Sequence, residues 1–594
     1  MPLSLQPRVV NSLSWKVAGA AGHGILNAGL SLFGKACQRG GLQVMATAEY
    51  PSLIRGGHNH LDVRVADRHL QAHTKYITLL LALNKDSLDK HVRKIVPGGG
   101  VIYDADEIPD PQITRKDIAV IGVPLKKLAL EAGHEIMRNT VGIGASFALL
   151  DCGLGPLQGV IQDNFGRKGE AIVAGNQKAA QLGHDYVKVH HQDIFPFQLR
   201  FKPPQGALFL SGHEALATGA IKAGCKFYAA YPMTPASSLL HVFAKHEREY
   251  GIVVKHTEDE IAAVNMAIGA SYAGARAMTG TSGGGFALMV EGLGLAAQTE
   301  VPLVVVESQR PGPATGMATH SGQGDLRFVL HASTDEFPRI VLAPGDVQEC
   351  FAFGALAFNL AEKYQLPVII LTDKYLGESY WTVPGLPPAP AVDRGMLLNN
   401  GHGLDLPYRR YQNTPSGVSP RAVPGVKGGT HVASSYEHDE EGFEREEEEI
   451  RVMMHQKRFR KLAAALLDLP QPQLLGPAQA EVTFVAWGSS KGPVQEAIRI
   501  LGQEGYACNL LQIPCLNPFP AAFVQQVLAG ARKPVIVEGN MTSQLNSLIR
   551  EHCLRDVPDK ILKYDGRPFH PEDIADEVRK LVPKKGYAVK AGAW

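Results

Sequence analysis

The feature that most constrains this chain is an alternation. In three stretches, short apolar runs closed by glycine, proline or small polar residues give way to helical patterns and then return. Such alternation builds parallel α/β sheets with helices on their faces. "VPLVVVES", ending at Gln309 and Arg310, is a buried strand of this kind. "EIAAVNMAIGASYAGARA" sets Ile261, Val264 and Ile268 at helical spacing, with Gly269, Ala270, Ala273 and Gly274 small enough for close helix packing. "EVTFVAWGSS", "CNLLQIPCLNPFP" and "KPVIVEGN" read as three further strands near the end.

A chain of 594 residues exceeds one core and is expected to form about three or four domains. The pattern divides it into 1–198, 205–385, a connector over 386–475 and a last block over 480–594. The connector is rich in proline and glycine and ends in "EHDEEGFEREEEEIR", read as a charged helix with a solvated face. With 59 basic against 58 acidic residues there is no net field to draw nucleic acid or an anionic membrane. No apolar run reaches 18 residues, and "MPLSLQPRVVNSLSWKV" lacks the pattern of a secretion signal, so a cytoplasmic protein is expected. The seven cysteines show no C-x-x-C pair and no iron–sulfur spacing.

Several positions carry chemical potential. The turn Gly19 to Gly24 links a strand to a helix with G-x-x-G-x-G spacing, a loose match to a dinucleotide-binding turn. Arg55, beside Gly56 and Gly57, is either a phosphate-binding loop or an ordinary turn with a solvated arginine. In "YPMTPASS", Pro232 and Pro235 bracket Thr234, which the spacing makes a helix N-cap, a rigidly held hydroxyl, or both. Glu260 follows Thr257 by three residues, as in a capping box. "TGTSGGGF" brings bare backbone against a ligand or second subunit. Thr234, Glu260, Thr281 and Arg310 all fall beyond strand ends or at helix starts, where open α/β sheets bind ligands.

"YPMTP", "EDEIAAVNMAIGASYAGARAMTGTSGGG" and "ESQRPGPATG", in this order, closely resemble the α subunit of 2-oxoacid:ferredoxin oxidoreductases, best the 2-oxoglutarate type. The resemblance spans nearly the whole chain, with a γ-type domain fused ahead of the α region. It implies several doubly wound parallel-sheet domains, among them the pyrimidine-binding domain of thiamine diphosphate enzymes and a transketolase C-terminal-like domain. It also implies cleavage of a 2-oxoacid on thiamine diphosphate, electron transfer through an iron–sulfur cluster to ferredoxin, and acyl transfer to coenzyme A.

By the same resemblance, Glu260 is the carboxylate that meets the aminopyrimidine, with Glu258 as the neighbouring alternative, and Thr234 reaches cofactor and substrate. Tyr231, Pro232 and Thr281 would line the cofactor, and Thr234, Arg310, His320 and Ser321 the substrate. Arg55 and Gly56 are the candidates for coenzyme A, and "NTPSGVSPRAVPG" for a loop closing over the site. Neither a Gly-Asp-Gly segment for the pyrophosphate and Mg²⁺ nor a cluster-binding cysteine set occurs. The resemblance therefore assigns these, with the [4Fe-4S] cluster, to a β subunit in an (αβ)₂ assembly.

One departure stands out. "MATHSGQGDL" sets His320 where relatives commonly carry arginine or lysine for the substrate carboxylate, and a histidine's charge depends on pH near neutrality. Pyruvate or another 2-oxoacid thus stays an alternative substrate. Carbon dioxide fixation, as in a reductive tricarboxylic acid cycle, and oxidative decarboxylation would use the same groups. A nucleotide-binding regulatory protein, built on the first glycine turn, is the distant alternative.

Overall fold

The computed structural model describes residues 8–52, 57–191, 195–204, 206–398 and 407–584. Arg55 and Gly56 lie outside the described residues. The chain forms two compact units, one of residues 1–210, 379–385 and 570–594, the other of 211–378 and 386–569.

The first unit is built on a mixed sheet. Ser12–Ala20, Ile77–Ala82, Ile95–Asp104 and Ala119–Val123 run parallel. His58–Ala66 and Gln43–Glu49 pair antiparallel on the other side of Ser12–Ala20. Only part of this sheet is thus the parallel type that the alternation suggests. The connection 50–57 is too short for a crossover helix, so those two strands must pair as neighbours of opposite direction. The Ser12–Ala20 strand and glycine turn lead into the helical run Asn27–Gly34 and Lys35–Arg39, as expected, with Gly22 and Gly24 in the left-handed region. Trp15 stacks on Phe33 in the core, ring centroids 4.1 Å apart.

The second unit carries two sheets. In the larger, six strands run parallel in the order Val253–His256, Phe227–Ala230, Ala277–Thr281, Leu303–Gln309, Pro367–Asp373 and Ile340–Leu342. Cys515–Asn517 closes its edge antiparallel. Leu303–Gln309 is buried at every position, which is why it reads as a continuous apolar run and not as an alternation. The smaller sheet has Val482–Ala486 at its centre between Cys508–Gln512 and Pro534–Glu538, all parallel.

The charged helix forms over Glu448–Ala465, its glutamates facing solvent as expected, and its later turns add a buried cluster that the sequence does not announce. The glutamates at 446–449 are exposed, whereas Lys457 and Lys461 are fully buried and donate to the Glu300 carboxylate, Lys457 Nζ at 2.6 and 2.8 Å. Burial alone would raise the Glu300 pKa; the two ammonium groups and Arg410 instead hold it far below the carboxylate range.

Candidate active site

In the larger sheet of the second unit, the strand Phe227–Ala230 is flanked by Val253–His256 on one side and Ala277–Thr281 on the other. The chain order therefore reverses at its carboxyl end. That is where open α/β sheets hold ligands, and the loops after these strands bring the expected residues together.

Thr234 sits in the turn after Phe227–Ala230, and the Thr234–Pro235 peptide is cis. It is not the N-cap: the helix begins at Ser237 with Ala236 in that position. The two prolines hold Thr234 ahead of the helix, and its carbonyl oxygen accepts from Arg310 Nη1 at 2.7 Å. Tyr231 and Pro232 precede it and are exposed.

The capping box at Thr257 does not form either. Asp259 is the N-cap of the Glu260–Tyr272 helix, accepting from the Ala262 N–H at 2.7 Å, and the Thr257 hydroxyl donates to the Asp259 carbonyl. An aspartate directly before the helix competes better for the cap than a threonine two residues further out. Glu260 is thereby released from capping and turned inward, 2% exposed, while Glu258 faces solvent. Burial, then the charge of Asp259, pushes the Glu260 pKa up; Thr281 and Arg310 pull the other way.

Glu260 Oε1 is buried without a hydrogen-bond partner. A buried carboxyl oxygen left so costs about 1–3 kcal/mol, which marks the atom as awaiting a hydrogen-bond partner. The first turn of the Gly283–Gln298 helix faces it, and one of its three glycines, Gly285, makes the close approach possible. A Cβ at Gly285 would stand 2.3 Å from Glu260 Oε1 and 2.1 Å from Thr281 Oγ1. Thr281, fully buried, ends its strand beside Met233, its hydroxyl 3.9 Å from the thioether sulfur.

Behind this site stands an acidic pair that the sequence reading missed. Glu307 is fully buried in the strand Leu303–Gln309, with neither oxygen paired to a donor of another type; it meets the carboxyl group of Asp325. Burial first, then Asp325, raises the Glu307 pKa well above the ordinary range, and the charge of Arg310 pulls it the other way. Asp325 is held by its N–H on Gln309 Oε1 at 3.1 Å.

His320 and Ser321 lie on the loop between Arg310 and Asp325. The loop turns back through Met317 N–H on the Pro311 carbonyl at 2.9 Å, and Ser321 N–H donates to the Gly566 carbonyl at 3.1 Å. Gly322 packs on Pro311, a Cβ there falling 3.4 Å from its ring, so the loop returns to the neighbour of Arg310.

"NTPSGVSPRAVPG" does not close over this site. Arg421 is buried and donates to the Ser271 carbonyl at 3.0 Å, at the far end of the helix that Glu260 begins. Its charge is needed there beside Glu362, together with Arg276 and Arg394. Among the described residues no group of three histidine, cysteine or acidic side chains could hold a metal ion, and no helix is long and apolar enough to cross a membrane.

Comparison with known proteins agrees with this geometry. Residues 218–457 match the family described as pyruvate flavodoxin/ferredoxin oxidoreductase, thiamine diphosphate-binding. Residues 14–186 match pyruvate ferredoxin/flavodoxin oxidoreductase, and 480–574 match core domain II of pyruvate:ferredoxin oxidoreductase. The α subunit of a 2-oxoacid:ferredoxin oxidoreductase from Sulfolobus is 32% identical, covering 96% of this chain and 97% of the relative. The 2-oxoglutarate oxidoreductase subunit KorA of Mycobacterium tuberculosis is 30% identical over 90% of this chain and 85% of its own. Among solved structures, 2-oxoglutarate:ferredoxin oxidoreductase from Magnetococcus marinus, with 2-oxoglutarate, coenzyme A and succinyl-CoA bound, superimposes with a TM-score of 0.89 at 33% identity, covering 96% of this chain and 99% of the other. The chain belongs to the 2-oxoacid:ferredoxin oxidoreductase α-subunit family and contains its thiamine diphosphate-binding domain.

Proposed function

We propose that this chain is the α subunit of a coenzyme A-acylating 2-oxoglutarate:ferredoxin oxidoreductase. The observation that carries the reading is the buried, unpartnered Oε1 of Glu260, held inward where Gly285 lets the neighbouring helix approach it closely. That arrangement fits an aminopyrimidine, whose ring nitrogen would accept a hydrogen bond from the protonated Glu260 carboxyl. When bound, thiamine diphosphate supplies the carbanion chemistry that cleaves the bond between the carboxylate and carbonyl carbons of a 2-oxoacid.

The chain's own residues then divide the work. Glu260, its pKa already raised by burial, holds or releases a proton at Oε1. Thr234, Tyr231, Pro232 and Thr281 line the cofactor's pyrimidine end, and the Thr234 hydroxyl meets the substrate carbonyl. Arg310, His320 and Ser321 hold the substrate carboxylate. Arg55 and Gly56 are the proposed contacts to coenzyme A.

The net reaction interconverts 2-oxoglutarate, coenzyme A and two oxidised ferredoxins with succinyl-CoA, carbon dioxide, two reduced ferredoxins and a proton. Pyrophosphate, Mg²⁺ and the [4Fe-4S] cluster belong to a β subunit in a cytoplasmic (αβ)₂ enzyme. The M. marinus oxidoreductase with 2-oxoglutarate and succinyl-CoA supports the substrate. Pyruvate is the second reading, favoured by the pyruvate-type family descriptions and by His320 in place of a permanent cation.

The test is anaerobic reduction of a viologen dye by this chain with its β partner, omitting each component in turn. A requirement for 2-oxoglutarate, coenzyme A and both chains is expected. Faster turnover of pyruvate would overturn the substrate, and no turnover of any 2-oxoacid would overturn the reaction.

A further inference from the structure

Gln323 is a polar loop residue with 2% exposure, three residues before the helix Leu326–His331, and no part of the chemistry above uses it. Its surroundings explain the burial. In the smaller sheet of the second unit the central strand Val482–Ala486 has Cys508–Gln512 on one side and Pro534–Glu538 on the other, so the chain order reverses between them. The crevice at their carboxyl ends is where such a sheet takes a ligand. Here the occupant is Gln323.

The fit is complete. Gln323 Oε1 accepts from the Gly539 N–H at 2.7 Å and from Ser490 Oγ at 2.9 Å, and Nε2 donates to the Trp487 carbonyl at 3.0 Å. Its own N–H donates to the Gly539 carbonyl at 2.9 Å, and its carbonyl accepts from Asn540 Nδ2 at 2.8 Å. Both walls are glycine at the contact: a Cβ at Gly488 would lie 3.0 Å from Nε2, and one at Gly539 would lie 3.1 Å from Oε1. A loop residue that satisfies an amide this fully, in a crevice lined by glycine, is a lock on its loop.

We propose that Gln323 is a positioning residue for the 2-oxoacid: fixed in this crevice, it sets where His320 and Ser321, three and two residues before it, stand relative to Arg310. The other end of the loop is already fixed, because Arg310 continues a buried strand and its side chain is held on the Thr234 carbonyl. Beside the backbone bond of Ser321 to Gly566, the Gln323 side chain is an anchor that can be released without touching a residue proposed to meet cofactor or substrate. This inference rests on the proposed role of the loop in substrate binding, and its test separates the two.

The experiment uses this chain with its β partner and compares Gln323→Ala, Gly539→Ala and the double variant. Gly539→Ala reaches the same lock from the opposite wall. We expect each single variant to raise KM for the preferred 2-oxoacid by about tenfold and to compress the kcat/KM ratio between 2-oxoglutarate and pyruvate by a similar factor. Apparent affinities for thiamine diphosphate and coenzyme A should stay within about twofold. The double variant should be no worse than Gln323→Ala, as for two changes in one contact, and Gln323→Glu, which keeps the Oε1 acceptor, should recover part of the loss. Falling kcat at constant KM and constant substrate ratio, an equal loss of cofactor affinity, or multiplying effects would overturn the proposal.

A wild type that prefers pyruvate removes the substrate assignment but leaves this inference standing if the ratio still collapses. Should no 2-oxoacid react, amide hydrogen exchange decides. Faster exchange over 311–324 in Gln323→Ala, with 260–272 unchanged, supports the lock; unchanged exchange over 311–324 overturns it.

Discussion

A side chain at position 285 has nowhere to go, because Gly285 presents its backbone to Glu260 at a distance that would put a Cβ 2.3 Å from Oε1. The glycine run of this helix thus serves a carboxylate on the neighbouring helix. Gly285→Ala should therefore displace Glu260 or Thr281 at an overpacking cost of about 1–3 kcal/mol. We expect a modestly lower melting temperature and at least a hundredfold loss of viologen reduction with the β partner. Wild-type rates in this variant would refute the tight apposition.

Glu300 beneath Lys457 and Lys461 is the second test. Removing one partner of a buried ionic cluster leaves the others uncompensated, a loss of about 3–5 kcal/mol. Glu300→Ala should therefore lower the unfolding free energy of the chain by that order in urea titrations. Burial already lowers Lys461 to about 7, despite Glu300. Loss of the carboxylate should push it lower still, so that this lysine stays neutral in the folded variant at neutral pH.

Glu538 gives a pH signature. Burial raises its pKa to about 7, against donation from Trp487 Nε1 at 3.0 Å and from the Leu545 N–H. A carboxyl group whose folded pKa lies above its unfolded value binds the proton more tightly in the fold. The stability it contributes is complete below the unfolded pKa of 4.5 and is lost as pH rises through about 7. The unfolding free energy should fall between pH 5 and 8 by a contribution on the order of 3 kcal/mol from this group, and Glu538→Gln should flatten that slope. An unchanged slope would contradict the assignment.

His320→Ala should raise KM for the 2-oxoacid about tenfold, as expected for losing one hydrogen bond to a charged group, while KM for coenzyme A stays constant. His320→Arg, which puts a permanent cation in its place, should restore binding. Equal rises in both constants would make His320 a structural loop residue.

Much of this was legible in the sequence because it is written locally. The α/β class follows from runs such as Leu303–Gln309, the rigid Thr234 turn from its two prolines, and the importance of Glu260 from the family resemblance its motif carries. What escaped depends on residues far apart in the chain. Nothing near Lys457 and Lys461 in the chain announces Glu300, more than 150 positions away, as the carboxylate they bury against. Gln323 sits between two glycines in an unremarkable loop, and its partners Trp487, Ser490 and Gly539 lie over 160 residues onward. The two capping expectations failed for a local reason: Thr234 is held outside the helix by the turn, and Asp259 outcompetes Thr257 for the cap.

The most direct test of the account concerns Glu260. With the β partner present and thiamine diphosphate bound, the rate of hydrogen–deuterium exchange at the cofactor's reactive thiazolium carbon should be followed in the wild type and in Glu260→Gln, which keeps the shape and removes the acid. The account expects exchange at least a hundredfold slower in the variant at equal cofactor occupancy. Equal exchange rates would contradict the assignment of Glu260 and, with it, the site built around it.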